Sequence, residues 1–370
     1  MDGEIFITGA TGFIGGSFLQ TWLNETDVKV NLLVRSKKGV NPKSRAHEVL
    51  TGLFPEADIS TFSQRVDVVE GDLGLERFGL EEIAFRQLAR QTTHILHCGA
   101  AVRFDLEISQ ARQINVQGTE RVLAFARICP QLERVSYVGT AYVAGKQSAI
   151  VRDDDLDKGQ EHKNTYERSK FEAEMLVRAA MSELPITIFR PSIVVCDSRT
   201  GHLSRHSALN RVLRRYALGS LTMLPGSLPT RMDLVPVDYV AGAAFAIVKN
   251  PATIGRCYHL TAGLDNLTSL GEIRDLASQH FGRKKFIIVP PTLFFFYMAI
   301  LRPFLAEKVR EGIEELRLYT PYLVNESLFD NSNTVKESGM KVPTFRSYFG
   351  VMAEDIQRQL ATEALRLAHS

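Results

Sequence analysis

Short apolar runs recur along the first half of the chain, at Ile5–Ile7, Val28–Val34, Val66–Val69, His94–His97, Val135–Val138 and Ile186–Phe189. Runs of that length, rich in β-branched residues, predict strands covered on both faces. Between several of them lie stretches with apolar residues at helical spacing: Leu80–Leu88, Ile114–Ala126 and Phe171–Met181. Strand and helix in alternation predict βαβ units and a doubly wound parallel sheet, an α/β fold. Pro191 ends the sixth strand, because proline cannot continue a ladder. Beyond it the pattern loosens. Ala208–Leu218, Tyr239–Val248, Ser269–Phe281, Leu305–Tyr319 and Val351–Ala368 read as helices and Arg256–Leu260 as a strand. The expected organisation is a nucleotide-binding domain over 1–191 that carries the catalytic residues. A smaller, mainly helical substrate lobe follows over 192–370, with some segments returning to the sheet.

Composition narrows the class. The chain has 370 residues, 45% of them hydrophobic, and a formal net charge of +2, which favours neither nucleic acid nor an acidic partner. Cys98, Cys129, Cys196 and Cys257 show no Cys-x-x-Cys spacing, so neither a zinc site nor a disulfide framework is expected. Met1–Glu4 has no basic leader region. The most apolar stretch, Phe286–Leu301, is interrupted by Pro290-Pro291 and is shorter than the roughly 20 residues a spanning helix needs. A cytoplasmic, soluble protein is expected. Leu293–Met298 is read as a buried helix of the lobe, in preference to an acyl-channel lining or a membrane-facing segment. Arg211, Arg214 and Arg215, at helical spacing, form either a solvated face or a contact for a phosphopantetheine carrier or coenzyme A.

The first chemical motif follows the first strand: Thr8-Gly9-Ala10-Thr11-Gly12-Phe13-Ile14-Gly15. Gly9 permits the tight turn, Gly12 lets the backbone approach a pyrophosphate, and Gly15 lets the next helix pack closely on the sheet. The helix N-terminus then faces the phosphates. This is the glycine pattern of a Rossmann dinucleotide site. The second motif is Tyr166-x-x-x-Lys170, two side chains on one helical face. An ammonium beside a phenol favours the phenolate and tunes it as a proton donor to an oxygen that gains charge. Thr140, just past the strand ending at Val138, stands at the sheet edge where ligands of open α/β folds bind and offers a hydroxyl to the same oxygen.

These elements stand in the order of an extended short-chain dehydrogenase/reductase, together with Asp72-Leu73, Gly99-Ala100-Ala101, Asn115-Val-Gln-Gly-Thr119 and Arg190-Pro191. The resemblance runs over about Glu4 to Leu260. Within that superfamily, His97–Phe104 and Gly139-Thr-Ala-Tyr-Val143 are most similar to the fatty acyl-CoA reductases and carrier-protein thioester reductases. Asp330–Thr334 resembles an asparagine-threonine element of fatty acyl reductases. The resemblance implies that Thr140, Tyr166 and Lys170 are catalytic. It implies that Asp72 and Leu73 border the adenine, that Ala100 and Ala101 lie beneath the ribose, and that Pro191 to Ile193 flank the nicotinamide. Asn115 is either a proton-relay residue or a structural one. Members selective for NAD place an acid at the end of the second strand. Here Arg35-Ser36 stands there, with Arg45 behind, and a guanidinium suits the 2′-phosphate of NADPH. No metal is expected.

The activity implied is NADPH-dependent reduction of an acyl thioester, on a carrier protein or coenzyme A, to an aldehyde or, with a second hydride, to an alcohol. The alternative enzyme class reduces a free ketone or oxidises a secondary alcohol, as with 3β-hydroxysteroids. A sugar-nucleotide epimerase is disfavoured by the missing acid, and a dinucleotide-sensing regulator by the retention of both Tyr166 and Lys170.

Overall fold

A computed structural model of the protein describes residues 3–55, 62–147, 149–204 and 207–368, and counts below refer to these. Seven strands form the central sheet: β1 (Glu4–Thr8), β2 (Lys29–Val34), β3 (Val66–Glu70), β4 (Thr92–His97), β5 (Arg134–Val138), β6 (Ile186–Pro191) and β7 (Cys257–Leu260). Their order is β7-β6-β5-β4-β1-β2-β3, and every pair is parallel. The order reverses between β1 and β4, which opens a crevice at their carboxyl ends, the ligand position in folds of this kind. The first six strands fall where the apolar runs place them. Buried parallel strands are covered on both faces and so read as unbroken apolar runs.

The described helices, in chain order, are α1 (Phe13–Glu25), α2 (Pro42–Leu53), α3 (Glu82–Gln91), α4 (Ile108–Arg127), α5 (Thr165–Ala180), α6 (Ala208–Ala217), α7 (Val237–Val248), α8 (Leu270–Phe281), α9 (Pro291–Leu301), α10 (Glu307–Tyr319), α11 (Ser332–Ser338) and α12 (Phe345–Ala368). One face of the sheet buries Trp22 and Leu19 of α1 with Tyr239, Phe245 and Ile247 of α7. The other face buries Val122 and Phe125 of α4 with Ala173 and Val177 of α5. Both α7 and β7 follow residue 191, so the chain returns to the sheet after leaving it. A separate core assembles the lobe from α6, α8 and α12, around Leu213, Leu276, Phe349 and Ile356.

Two helices begin earlier than the apolar periodicity predicts. α4 starts at Ile108 rather than Ile114, and α5 at Thr165 rather than Phe171. For α5 the cause is a cap. The Asn164 side chain accepts a hydrogen bond from Glu167 N at 2.9 Å, satisfying an orphan donor of the first turn. This cap places Tyr166 in the first turn and Lys170 one turn on.

Candidate active site

The glycine turn is dictated by space. Gly9 sits at φ +80°, and a Cβ there would lie 2.6 Å from Gly99 N. A Cβ on Gly15 would lie 2.2 Å from Gly9 O, so α1 leaves β1 at a distance only glycine allows. A Cβ on Gly12 would meet only Gly9 O, at 3.3 Å, and no side chain caps α1. That leaves an open, amide-lined cradle at a helix N-terminus, which fits a pyrophosphate.

A cavity of about 680 Å³ runs from this cradle across the sheet edge into the C-terminal lobe. Of the residues singled out in the sequence, Thr8, Gly9, Thr11, Gly12, Phe13, Ile14, Gly15, Arg35, Asp72, Leu73, Ala100, Thr140, Tyr166 and Ile193 line it. Ser36, Ala101, Lys170 and Pro191 do not line it. Thr8 is committed internally: its hydroxyl meets His97 Nδ1 at 2.7 Å and accepts from Gly99 N at 3.1 Å. Burial holds the His97 pKa down, to about 3, so the ring is a neutral brace between Thr8 and Thr119. Arg35 reaches Asp72 at 3.3 Å, and Arg45 donates to the Arg35 carbonyl at 2.5 Å and to the Thr11 hydroxyl at 3.1 Å. Two guanidinium groups therefore stand together over the end of β2.

The three proposed catalytic side chains meet at the carboxyl ends of β5 and β6. The Thr140 hydroxyl caps the short turn Ala141–Ala144 by accepting from Tyr142 N at 3.3 Å, and it donates to Pro191 O at 3.4 Å. Tyr166 faces the cavity with Phe104 stacked on it, ring centroids 5.7 Å apart. Lys170 differs from the tuned pair expected from spacing. Its ammonium donates to Val138 O at 3.0 Å and lies 4.5 Å from the centre of the Tyr137 ring. Burial lowers its pKa to about 8. The Tyr166 phenol is pushed up by burial, with only the Thr140 hydroxyl and not Lys170 opposing. A shared helical face brings the two residues to one place, but the backbone carbonyl of β5 takes the ammonium. The Asn115 side chain is held within the protein. It accepts from Ala101 N at 2.8 Å and donates to Ala101 O at 3.1 Å and to the Ser169 hydroxyl at 2.9 Å.

Several wall residues escaped the sequence reading. Cys98, Lys37 and Val102 border the groove, and an aromatic group forms the far side: Phe104, Tyr142, Tyr319 and Tyr322. Phe104 packs against Tyr166, Tyr319 and Tyr322 at centroid distances of 5.7, 5.1 and 5.6 Å. Behind Tyr322 lies a buried polar knot. Its hydroxyl donates to Glu167 Oε1 at 2.5 Å and accepts from Asn164 Nδ2 at 2.8 Å, while the Lys163 ammonium lies 4.8 Å above its ring. No local pattern signals these contacts, because residues 104, 142, 167 and 322 are brought together only by the fold. Farther along α5, Glu174 pairs with Arg190 of β6 at 2.6 Å, both side chains fully buried, and anchors the helix to the sheet.

Three other expectations are corrected or resolved. The stretch Leu293–Met298 is not a buried helix: Phe294 is its one buried residue, while Leu293, Phe296 and Tyr297 are exposed, Phe296 by 68%. A helix apolar on every side gives no period from which a buried face can be read. Arg211 pairs with Glu315 at 2.9 Å and Arg214 with Glu363 at 2.5 Å, so both are bound within the lobe. Asp330–Thr334 docks on β7 away from the cavity: the Thr334 hydroxyl donates to His259 O at 2.8 Å and Asn331 Nδ2 to Thr261 O at 2.9 Å. Among the described residues no group of acids, histidines and cysteines could hold a metal, and no helix is long and apolar enough to cross a membrane.

Sheet order, glycine cradle and the Thr-Tyr-Lys arrangement define an extended short-chain dehydrogenase/reductase that binds a nicotinamide dinucleotide. Comparison with known proteins narrows this. Residues 7–244 match the male sterility protein family of NAD-binding domains, and the chain belongs to that family. It is 31% identical over 273 residues to the nonribosomal peptide synthetase asaC of Aspergillus flavus, covering 70% of this chain and 26% of that protein. It is 29% identical over 317 residues to fatty acyl-CoA reductase 1 of Rattus norvegicus, covering 75% of this chain and 61% of the relative. The chain thus spans about a quarter of the synthetase and three fifths of the reductase. Among solved structures, the terminal R domain of the myxalamid PKS-NRPS biosynthetic pathway superposes with a TM-score of 0.82 at 26% identity, over 96% of this chain and 90% of that one.

Proposed function

We propose that the chain is an NADPH-dependent reductase of acyl thioesters, borne on a carrier protein or on coenzyme A, that forms an aldehyde and in a second round an alcohol. The observation that carries this reading is the joined cavity, which runs from the dinucleotide cradle past Thr140 and Tyr166 to apolar residues of the C-terminal lobe. Kinship with a fatty acyl-CoA reductase, which by its name reduces an activated acyl group, and with a nonribosomal peptide synthetase supports it. Arg35 and Arg45 over the end of β2 would hold the 2′-phosphate, since two guanidinium groups complement a dianion by charge-assisted hydrogen bonds.

When bound, the dinucleotide would supply hydride to a carbonyl carbon. Tyr166 donates a hydrogen bond to the carbonyl oxygen as it gains negative charge, and Thr140 joins it once its hydroxyl turns from Pro191 O toward that oxygen. Carbon–sulfur cleavage of the resulting hemithioacetal then returns the carbonyl, and the sulfur leaves as thiol. Lys170, anchored on Val138 O, would carry positive charge below about pH 8 at the carboxyl end of β5 and favour the anionic side of each step. Leu73, Ala100 and Ala101 shape the cofactor groove, with Asn115 fixing Ala101.

The test is NADPH consumption against acyl-CoA and acyl-carrier thioesters beside a ketone and secondary-alcohol panel. Aldehyde or alcohol with free thiol supports the reading. Turnover of the ketone panel alone would move the chain to the other reductase class.

A further inference from the structure

Helix α9 is apolar on two opposite faces. Pro291, Phe294, Phe295 and Met298 recur at helical spacing and are buried or half-buried against the lobe. Leu293, Phe296, Tyr297 and Ile300 repeat that spacing two residues out of phase, and each is exposed by half or more. The turn Arg302–Phe304 leads from α9 toward α10, and Phe304 stands at that corner 86% exposed. The Arg317 guanidinium of α10 lies 4.4 Å from the centre of the Phe295 ring and ties the two helices together. The rings of Phe296, Tyr297 and Phe304 alone leave on the order of 400 Å² uncovered. Apolar patches of that size mark interaction sites. The charge around this face is one-sided. From Leu276 to Ala306 the chain carries Arg283, Lys284, Lys285 and Arg302, all exposed, and no Asp or Glu. The nearest acids in sequence are Asp275, ion-paired with Lys285 at 3.0 Å, and Glu307, which Lys308 and Arg310 follow.

We propose that the outward face of α9, with the Phe304 corner, docks on an anionic lipid bilayer. The apolar side chains enter the interfacial layer, and Lys284, Lys285 and Arg302 meet the charged headgroups. The 11 residues of α9 rise about 16 Å, roughly half the hydrocarbon thickness, so the helix lies along the surface and does not cross it. A second copy of the chain fits this face poorly. Two-fold pairing would set the patch against itself and bring the cations of both copies together. The Phe304 corner projects outward and needs no complementary groove in lipid. Docking makes no use of the reaction, so the proposal stands apart from the thioester reading.

The test is cosedimentation of the full chain with vesicles of phosphatidylcholine alone and of phosphatidylcholine mixed with phosphatidylserine. The expected result is binding to the anionic vesicles that weakens as salt rises from about 0.1 M to about 1 M. Phe296→Ser combined with Phe304→Ser lowers that binding about tenfold or more. Lys284→Glu combined with Arg302→Glu lowers it about 25-fold or more, at about fivefold for each basic residue near the surface. None of these four side chains lines the cavity and all are exposed, so the urea midpoint of each variant stays close to that of the wild type. In a Phe296→Trp variant, brominated lipid quenches fluorescence that the buried Trp22 of the wild type does not lose. No binding to anionic vesicles, equal binding to neutral ones, or binding that survives both double substitutions overturns the proposal. A wild-type dimer that the double serine variant converts to monomer, with no vesicle binding, gives the face to a second copy instead.

Discussion

Replacing Tyr322 by phenylalanine keeps the ring that packs on Phe104 and removes one hydroxyl. That hydroxyl donates to Glu167 Oε1 at 2.5 Å and accepts from Asn164 Nδ2 at 2.8 Å, joining the lobe to the first turn of α5 and its cap. Glu167 is fully buried and would retain only Lys163 N at 2.8 Å and the Lys163 ammonium at 4.0 Å. A hydrogen bond to a charged group contributes about 1.5–3 kcal/mol, and stranding a buried acceptor places the loss at the upper end. Tyr322→Phe should therefore lower the unfolding free energy by about 2–3 kcal/mol in a urea titration, with an unchanged slope. Glu167→Gln in the same background removes the stranded charge, so the two substitutions should be non-additive by about 1 kcal/mol or more. A Tyr322→Phe protein within about 0.5 kcal/mol of the wild type would refute the argument.

Further outcomes follow from the catalytic end. Tyr166→Phe should lower kcat by about 10²–10⁴-fold while the NADPH dissociation constant, read by fluorescence titration, stays within about twofold; normal turnover would remove Tyr166 from the chemistry. Arg35→Ala should weaken NADPH far more than NADH, by about tenfold or more for one lost charge-assisted contact, and equal losses would mean the 2′-phosphate is bound elsewhere. The Lys170 pKa is depressed to about 8 by burial, so its charge is present below that pH and lost above it. If the charge assists catalysis, kcat should fall as pH rises through about 8, and a rate flat from pH 7 to pH 9 would contradict that role.

Most of the sheet was legible because a parallel strand within a sheet is apolar over most of its length, and β1 to β6 each carry such a run, with Asn31, Asp67 and Ser136 as breaks in β2, β3 and β5. The cradle was legible for a related reason: Gly9 and Gly15 sit where a Cβ would collide with backbone. Spacing also placed Tyr166 and Lys170 on one helix. It did not reveal where the Lys170 ammonium points, since Val138 O belongs to a strand 32 residues away. The aromatic wall was hidden for the same cause, Phe104 and Tyr322 being neighbours only in the fold. Helix α9 misled in the opposite direction. Its composition is that of a core helix, yet Leu293, Phe296, Tyr297 and Ile300 face outward, and hydrophobicity alone does not fix which side is covered.

The most direct measurement of the central claim is a stoichiometry: NADPH oxidised and thiol released from one acyl thioester in a single reaction, with the carbon product identified by mass spectrometry. The account predicts one thiol per NADPH where the aldehyde accumulates and one thiol per two NADPH where the alcohol does. NADPH oxidation without thiol release, with the thioester recovered intact, would contradict it.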